Sequence, residues 1–206
     1  MNASTSNTAE GPLVHLREHM DIVETDLKLI AARTARGARL LDIGAGRAVF
    51  AQAARRAGID AYALDLQVEA SVLWGKEGVR GVIGDGGRTP FKAATFDVVR
   101  MKEVLEHVED PLGFVREGKR LLRDGGIFIA HVPTPWSQFY PVANFWDDYT
   151  HVRPISRYGL QRLFDDAGMR IELIEGYMSG RNAPERVLGK VLGRVFPHMY
   201  RVVARK

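Results

Sequence analysis

Three aspartates in the sequence follow short apolar segments and are spaced so that they could bind one ligand. Asp42 stands in "LLDIGAGRAVF", two residues before Gly44, while Asp65 ends "AYALD" and Asp85 opens "DGGRTPF". The glycines after Asp42 let the backbone approach a ligand closely, and a helix that begins there favours negative charge. If the apolar segments are parallel strands, all three carboxylates lie on one rim of a sheet.

The turn after Asp42 does not match two common nucleotide sites. A dinucleotide fingerprint requires a small residue where Val49 stands, and no G-x-x-x-x-G-K-S/T segment is present. An acid before the turn is a poor partner for pyrophosphate and a good partner for a cationic amino group. Asp65 could accept ribose hydroxyls and Asp85 an adenine amino group. A ligand with an amine, a ribose and an adenine is S-adenosylmethionine.

A second group of reactive side chains lies in "NFWDDYTHVRP", Asn144 to Pro154, within a long connection over residues 133–155 that we call the acceptor loop. Long connections in compact domains are commonly functional, and the aromatic residues of this one are suited to stack on a sugar or an aromatic acceptor. His151 with Asp148 could act as a base for a hydroxyl group. The alternative is that both residues only brace the loop.

The elements that must position these residues alternate along the chain. A helix is predicted over residues 13–36, and later helices are capped by Asp110 and Ser156. The predicted strands span residues 38–44, 59–66, 79–85, 96–102, 126–133, 169–178 and 199–206. Strands alternating with helices predict an α/β fold with a doubly wound sheet of seven strands. Because no regular crossover separates the last two strands, we expect an antiparallel C-terminal edge.

Five segments in this order resemble the class I S-adenosylmethionine-dependent methyltransferases, which have a Rossmann-like sheet. They are "LLDIGAGRAVF", "ALD", "GDGGRTPF", "FDVVRMKEVLEHVEDP" and "LLRDGGIFIAHVPTP", and they cover residues 38–135. The acceptor loop and the helix after it are more loosely similar to methyltransferases of glycan and cell-envelope pathways. The departures are Ala48, where a third glycine is common, and Arg47, which could face the cofactor carboxylate or solvent.

The resemblance implies a role for each matching residue. Asp42 and the glycine turn would line the methionine end, Asp65 would bind the ribose and Asp85 the adenine. Met101 and Lys102 would lie beside the cofactor. The implied cofactor-binding residues are Asp42, Gly44, Ala45, Gly46, Asp65, Leu66, Asp85, Gly86, Met101 and Lys102.

Two further groups of titratable residues have less specific patterns. Glu103, Glu106 and His107 fall within five residues and could bind a divalent cation. The segment "EVLEHV" is also common in relatives without a metal, where the histidine packs near the cofactor and the acids face solvent or cap a turn. We therefore expect no metal. His131 lies inside an apolar strand, where a histidine with satisfied hydrogen bonds is more usual than a base.

Composition limits the class of protein and its partners. The 206 residues suit one domain over residues 13–206, after a disordered tail over residues 1–12. Cysteine is absent, which excludes disulfides and thiolate metal sites. No apolar run is long enough to span a bilayer and no signal peptide is evident, so we expect a cytoplasmic protein. The oligomeric state is left open.

The net charge of +4 is concentrated at the C-terminus. From Arg181 onward there are seven basic residues and one acid, so this part carries +6 and the rest −2. This distribution argues against a nucleic-acid-binding surface. The segment 181–197 reads as a basic amphipathic helix, which could pack on its own domain or lie against the inner face of an anionic membrane.

The sequence therefore predicts an enzyme that transfers a methyl group from S-adenosylmethionine to a small-molecule or glycan acceptor, most simply to a hydroxyl oxygen. Two alternatives remain. One is a methyltransferase for protein or RNA, although the chain shows neither a distributed basic face nor an N/D-P-P-Y/F segment after the fourth strand. The other is a protein that binds S-adenosylmethionine without catalysis.

Overall fold

The structure, a computed structural model, describes residues 11–69, 74–75, 78–140, 144–178, 193 and 195–206, and the side chains from residue 20 onward within these ranges. Residues 1–10 of the predicted tail lie outside these ranges, whereas Gly11 and Pro12 already belong to the first helix. Of the predicted basic segment 181–197, only residues 193 and 195–197 are described. The prediction of a helix there stays a prediction.

The secondary structure follows the predicted alternation. The helices with described ends are α1 (Gly11–Ala31), α2 (Val49–Arg56), α3 (Pro111–Leu121) and α4 (Arg157–Asp166). The strands are β1 (Arg39–Ile43), β2 (Asp60–Asp65), β3 (Arg80–Ile83), β4 (Phe96–Lys102), β5 (Leu122–Pro133), β6 (Arg170–Tyr177) and β7 (Met199–Arg205). Two short 3-10 helices, Pro135–Phe139 and Phe145–Asp147, lie in the acceptor loop.

The observed helix boundaries show which helix starts and ends could be predicted from local sequence. The Asp110 side chain accepts from the Gly113 amide at the start of α3, and Ser156 caps α4 in the same way, as predicted. The first helix ends at Ala31, earlier than the predicted Arg36. The amide and the hydroxyl of Thr34 both donate to the Ile30 carbonyl, each over 2.9 Å, and this turn closes the helix.

The strands form one seven-stranded sheet in the order β3-β2-β1-β4-β5-β7-β6. Strands β1 to β5 pair in parallel, and β7 runs antiparallel between β5 and β6. The predicted fold class is confirmed, and the outermost strand at the C-terminal side is β6. Strand β1 has β2 on one side and β4 on the other. The order reverses there, which is where open α/β sheets bind ligands.

Apolar side chains cover both faces of the sheet. One cluster packs α3 and α4 against the face that contains Leu41, and the other packs α1 and α2 against the face that contains Leu40. Successive side chains of a strand point to opposite faces, so the adjacent leucines belong to different clusters. The sheet is therefore doubly wound, and its loops at the carboxyl ends of the strands are left to form a site.

Candidate active site

The turn after β1 is closed by hydrogen bonds to the neighbouring strand. The amides of Gly44 and Ala45 both donate to the Leu64 carbonyl, over 2.8 and 3.1 Å. Gly44 has a φ of +71°, and a Cβ there would overlap the side chain of Val104. Since only glycine adopts this φ without strain and avoids the overlap, its place in the turn is required by the fold.

Asp65 connects the glycine turn to the end of β2. Its Oδ2 accepts from the Gly46 amide over 2.7 Å, and its Oδ1 accepts from the Gln67 amide over 2.9 Å. The next residue, Leu66, is 73% exposed. Each carboxylate oxygen can accept more than one hydrogen bond, so Asp65 keeps the capacity for ribose hydroxyls that the sequence predicts.

Asp85 and Gly86 follow β3 at the same rim, because β3 pairs in parallel with β2 and places Ile83 opposite Asp65. Asp85 is exposed, and its Oδ1 accepts from the Gly87 amide over 2.8 Å. A Cβ on Gly86 would come 2.5 Å from Ile43 Cγ2. The glycine therefore lets this turn pack against the end of β1, close to the glycine turn.

Asp42 lies inside the protein rather than at an open rim. Its side chain is buried, and its Oδ1 accepts from Arg100 Nη1 over 2.9 Å. Burial raises the pKa of Asp42, and Arg100 opposes this shift. The predicted role toward a cationic amino group therefore involves a carboxylate that is already paired, and the partner Arg100 was not foreseen from the sequence.

Arg100 belongs to a buried network of ionic groups that joins α1 to the sheet. Asp26 on α1 accepts from Arg100 Nε over 2.8 Å and lies 3.0 Å from Arg201 Nε. His131 Nε2 lies 2.9 Å from Asp26 Oδ2, so it donates there, and its Nδ1 accepts from the Tyr177 hydroxyl over 2.9 Å. Both ring nitrogens of His131 are thus satisfied, as expected of a strand histidine.

Met101 and Lys102 end β4 beside the glycine turn. Met101 is fully buried in the core and pairs with Ile43, so its backbone rather than its side chain lies at the rim. Lys102 Nζ is 2.6 Å from Glu103 Oε2. Glu103 has a φ of +55°, which is uncommon for a residue with a side chain and occurs frequently at functional sites.

A cavity of about 600 Å³ opens beside the end of β4 and below the acceptor loop. Its lining combines aromatic rings, carboxylates and imidazoles: Glu103, His107, Pro133, Ser137, Asn144, Phe145, Asp147, Asp148, Tyr149, His151, His198 and Met199. The acceptor loop is held over it by an Asn144–Asp147 capping box and by Trp146 Nε1, which donates to Gln138 Oε1 over 3.0 Å. The predicted acceptor loop thus forms a wall of a pocket.

His151 is fixed by its neighbours in one orientation. Its ring stacks on Phe145 at 4.4 Å, and its Nδ1 is hydrogen-bonded to the Phe145 carbonyl. Since a carbonyl only accepts, Nδ1 carries the proton, and Nε2 of the neutral ring carries a lone pair. The structure therefore places a basic nitrogen of His151 at the cavity.

The His151 amide donates to the Asp148 carbonyl over 3.2 Å, but the side chain of Asp148 is connected to His107 rather than to the His151 ring. Thr150 Oγ1 donates to Asp148 Oδ1 over 2.6 Å, so it accepts from His107 Nδ1 over 2.9 Å. His107 therefore also carries its proton on Nδ1 and a lone pair on Nε2. Burial, followed by the nearby His151, lowers the pKa of His107. The hydrogen bonds from Thr150 lower the pKa of Asp148.

Glu106 completes this group. It is fully buried, unlike the solvent-facing acid expected in this segment, and neither carboxylate oxygen has a hydrogen-bond partner among the described residues. Burial raises the pKa of Glu106 to about 8. One ligand atom from each of Glu106, His107 and His151 lies within 4.8 Å of the other two. We call these three residues the imidazole–carboxylate cluster.

The site thus has two parts, one at the glycine turn and one at the cavity. The structure fits an S-adenosylmethionine site at the first part, because Gly44 and Gly86 allow close backbone packing and Asp65 and Asp85 lie at one rim. Sequence reasoning named His151 and Asp148 as candidate catalytic residues. It missed that Asp148 is linked through Thr150 to His107, because this link forms only across the fold.

The comparisons with known proteins agree with this fold. Residues 16–174 match the family described as "Methyltransferase domain". A structure described as a SAM-dependent methyltransferase from Archaeoglobus fulgidus superposes with a TM-score of 0.71 over 90% of this chain and 94% of that one, at 19% identity. The chain therefore belongs to the methyltransferase-domain family and is an S-adenosylmethionine-dependent methyltransferase.

Relatives by sequence differ in how much of their length is matched. An uncharacterised protein of Methanocaldococcus jannaschii is 26% identical over 185 residues, which are 79% of this chain and 87% of that protein. A ubiquinone biosynthesis O-methyltransferase of Xanthomonas campestris is 36% identical over 108 residues, which are 48% of this chain. The matched region spans 45% of that relative. Among the described residues, no helix is long and apolar enough to cross a membrane.

Proposed function

We propose that this methyltransferase acts on a hydroxyl oxygen of a small-molecule or glycan acceptor that enters the cavity under the acceptor loop. The observation that carries the proposal is the imidazole–carboxylate cluster, which places two imidazoles in the lining of a pocket next to the end of β4. The volume of about 600 Å³ suits a small molecule or a sugar unit. The similarity to an O-methyltransferase of Xanthomonas campestris supports the same acceptor atom.

In this proposal the residues at the glycine turn bind the cofactor. Asp65 accepts the ribose hydroxyls, Asp85 receives the adenine amino group and the backbone of Gly44 to Gly46 lies along the methionine end. When bound, S-adenosylmethionine supplies a methyl group on a good sulfonium leaving group. The remaining task of the chain is to align the acceptor, exclude water and remove the hydroxyl proton.

Removal of that proton falls to the imidazole–carboxylate cluster. A basic group positioned at a hydroxyl typically accelerates such a reaction by about 10²–10⁴-fold. Because the pKa of His107 is lowered, its ring stays neutral and able to accept a proton at pH 7. Asp148 supports His107 through Thr150, so its role is to position the imidazole rather than to touch the acceptor.

The test is to incubate purified protein with methyl-labelled S-adenosylmethionine and a host-cell extract, and then to separate lipid, glycan, protein, nucleic-acid and small-molecule fractions. We expect base-resistant label in the glycan, lipid or small-molecule fraction. Label confined to protein or RNA would contradict the proposed acceptor. Cofactor binding with no label in any fraction would favour a non-catalytic role or a missing acceptor.

We also propose that the mouth of this cavity meets an anionic membrane surface, which would present a lipid-linked acceptor. Large aromatic side chains are exposed on and beside the acceptor loop, which lines the cavity with Ser137 and Tyr149. The ring centroid of Trp136 lies 6.1 Å from that of Phe139 and 4.9 Å from that of Phe196. Trp146 and Tyr149 are exposed on the same loop. Aromatic side chains are enriched where proteins meet the membrane interface.

The charge of the chain supports an anionic surface in particular. Val195 and Phe196 are exposed. The segment that precedes them in the sequence contains four basic residues, Arg181, Arg186, Lys190 and Arg194. Basic residues close to a membrane are attracted by anionic lipids, and adjacent apolar residues can insert between headgroups. This proposal takes up one of the two roles that the sequence leaves open for the segment 181–197, contact with the inner face of an anionic membrane.

Sedimentation with vesicles tests this contact. We expect binding to phosphatidylglycerol vesicles, weaker binding to phosphatidylcholine vesicles, and a loss of binding in Phe139→Ser. Tyr158→Ser is the matched control, because Tyr158 is equally exposed but lies on α4. Absence of binding by the intact chain, or binding unchanged by Phe139→Ser and by charge reversal of residues 181–194, would refute the membrane contact.

A further inference from the structure

We propose that Glu106, His107 and His151 bind a divalent transition-metal cation in the wall of the acceptor cavity. The inference rests on the proposed function in that it assigns the cation to the pocket where the acceptor would bind. It changes the role of the imidazoles, because a lone pair that binds the cation no longer accepts the hydroxyl proton. It revises the expectation from the sequence that no metal binds, because His151 could not be placed beside "EVLEHV" before the fold was known.

The first argument is the state of Glu106. Its side chain is fully buried and neither oxygen has a hydrogen-bond partner among the described residues. A buried carboxylate without partners carries a large desolvation penalty. Carboxylates in such positions are commonly paired with a charge or bound to a metal ion, and the ligand atoms that lie within 4.8 Å of the Glu106 carboxyl group include those of two imidazoles.

The second argument is the protonation of these imidazoles. His151 donates from Nδ1 to the Phe145 carbonyl, and His107 donates from Nδ1 to Thr150 Oγ1. Each ring therefore has an unprotonated Nε2. Two imidazole lone pairs and the unpartnered carboxyl group of Glu106 lie within 4.8 Å of one another. A cation that displaces the carboxyl proton would satisfy all three groups.

The third argument is that the backbone holds the three residues together without the cation. The Val152 amide donates to the Glu106 carbonyl over 2.8 Å, which fixes the segment of His151 against that of Glu106. His107 follows Glu106 directly, and its ring centroid lies 4.5 Å from that of His151. Metal–ligand bonds are about 2.0–2.2 Å, which separates tetrahedral ligand atoms by about 3.4 Å. The ligand atoms here lie within 4.8 Å of one another, so they would draw together when the cation binds.

The hydrogen bonds behind the imidazoles match those of built metal sites. Histidine ligands generally donate their second nitrogen to a carbonyl or a carboxylate, which orients the ring and raises its basicity. His151 has the Phe145 carbonyl in this place. His107 has Thr150, which in turn is hydrogen-bonded to Asp148. Asp148 therefore acts as a positioning residue of the site.

The donor set also indicates the kind of cation and its use. Two imidazoles with one carboxylate favour Fe²⁺, Co²⁺, Ni²⁺ or Zn²⁺ over Mg²⁺ and Ca²⁺, and they leave coordination positions open. Since His107 and His151 line the cavity, the open positions face the acceptor. A hydroxyl oxygen bound there would lose its proton to solvent more readily, and an acceptor with a second oxygen on the adjacent carbon would bind through both.

Cobalt binding tests the proposal without reference to turnover. Chelator-treated protein is titrated with Co²⁺ alone, and the visible d–d absorption is recorded. We expect one Co²⁺ per chain, with affinity reduced roughly tenfold or more in Glu106→Gln and in His151→Ala. His198→Gln is the matched control, because His198 lines the same cavity outside the cluster, and its affinity should equal that of the wild type.

Thermal unfolding of each variant shows whether loss of binding reflects loss of the fold. No Co²⁺ binding by the folded wild type, or binding that survives both substitutions, would overturn the metal site. Methyl transfer that persists after chelation, in protein shown to be free of metal, would also overturn it and leave the imidazoles as direct bases. Cobalt binding through the cluster without methyl transfer would support the metal site and contradict the proposed acceptor.

Discussion

At the scale of single residues, the site depends on side chains whose hydrogen bonds leave one atom available. The Nδ1 atoms of His151 and His107 are both hydrogen-bonded to residues of the acceptor loop. The carboxyl oxygens of Glu106 have no hydrogen-bond partner among the described residues. The glycine turn shows the complementary case, because Gly44 is required by its φ and by the nearby Val104. Single substitutions should therefore distinguish residues that take part in methyl transfer from residues that hold the site in shape.

His151→Ala should slow methyl transfer at least about tenfold while leaving the affinity for S-adenosylhomocysteine unchanged, because His151 lies at the cavity and not at the glycine turn. Turnover and calorimetric titration of the product measure the two effects. Full activity in this variant would remove His151 from the mechanism.

Thr150→Val should lower turnover by roughly tenfold or more, because it removes the hydroxyl that orients His107 and connects it to Asp148. Thr150→Ser keeps the hydroxyl and should restore most of the activity. Steady-state kinetics with both variants test this. Equal loss in the serine variant would point to packing of the methyl group instead.

Gly44→Ala should weaken binding of S-adenosylhomocysteine and lower the free energy of unfolding by about 2–4 kcal/mol, because strain at positive φ adds to overlap with Val104. Gly37→Ala is the control, since Gly37 has a φ of +78° and open space around a Cβ. It should cost about 1–2 kcal/mol and leave binding intact. Urea unfolding and calorimetry distinguish the two positions.

At the scale of elements, the N-terminal helix is fastened to the sheet by a buried charge. Asp26 on α1 contacts Arg100 on β4, His131 on β5 and Arg201 on β7. Arg100 also holds Asp42 at the end of β1. The helix and the start of the cofactor site therefore share one ionic network, and a change in α1 should be felt at the glycine turn.

Asp26→Asn should lower the free energy of unfolding by about 3–5 kcal/mol, because it leaves buried arginines without their shared counter-charge. Glu24→Gln is the control on the same helix, since the Glu24–Lys28 pair is exposed and contributes little. Chemical denaturation of both variants measures the difference. A loss of similar size in the control would contradict the role of the network.

At the scale of the whole molecule, the protein is one sheet with helices on both faces and its loops gathered at one rim. The antiparallel β7 between β5 and β6 places Arg201 in the core and Met199 at the cavity. The last strand thus contributes one residue to the buried ionic network and another to the lining of the cavity. Stability as a function of pH is the property in which this connection can be measured.

The contribution of His131 to the free energy of unfolding should fall by about 3 kcal/mol between pH 6.5 and pH 4. Burial lowers the pKa of His131 to about 4, Arg100 and Arg201 lower it further and Asp26 opposes them. A lowered pKa means that stability is complete above the unfolded pKa of about 6.5 and is lost as pH falls to the folded value. Asp26, whose pKa is held below its ordinary value, and Tyr177, whose pKa is raised, do not titrate in this window.

Denaturant unfolding at several pH values measures this dependence. His131→Gln should reduce the slope between pH 6.5 and pH 4, although it lowers stability at pH 7. An unchanged slope in this variant would assign the dependence to other groups. Because the pKa of Glu106 is raised to about 8, that group adds stability as the pH falls and opposes His131 over the same window. The contribution of His131 is therefore read from the difference between the wild type and His131→Gln, and a difference that is constant from pH 7 to pH 4 would show that His131 titrates near its ordinary pKa.

The sequence by itself determined the fold class and predicted a cofactor site at one rim of the sheet. Alternating strands and helices permit few arrangements, and parallel strands bring their carboxyl ends to one rim. Asp65 and Asp85 could therefore be placed at that rim from position alone. The caps at Asp110 and Ser156 are equally local, because their hydrogen bonds span three residues.

Only the tertiary structure decided which distant side chains meet. Arg100 became the partner of Asp42 because β1 and β4 are neighbours in a particular register. The acceptor loop folds back so that the Val152 amide reaches the Glu106 carbonyl, and this contact assembles the imidazole–carboxylate cluster. Such contacts depend on the packing of whole elements, which no spacing in the sequence encodes.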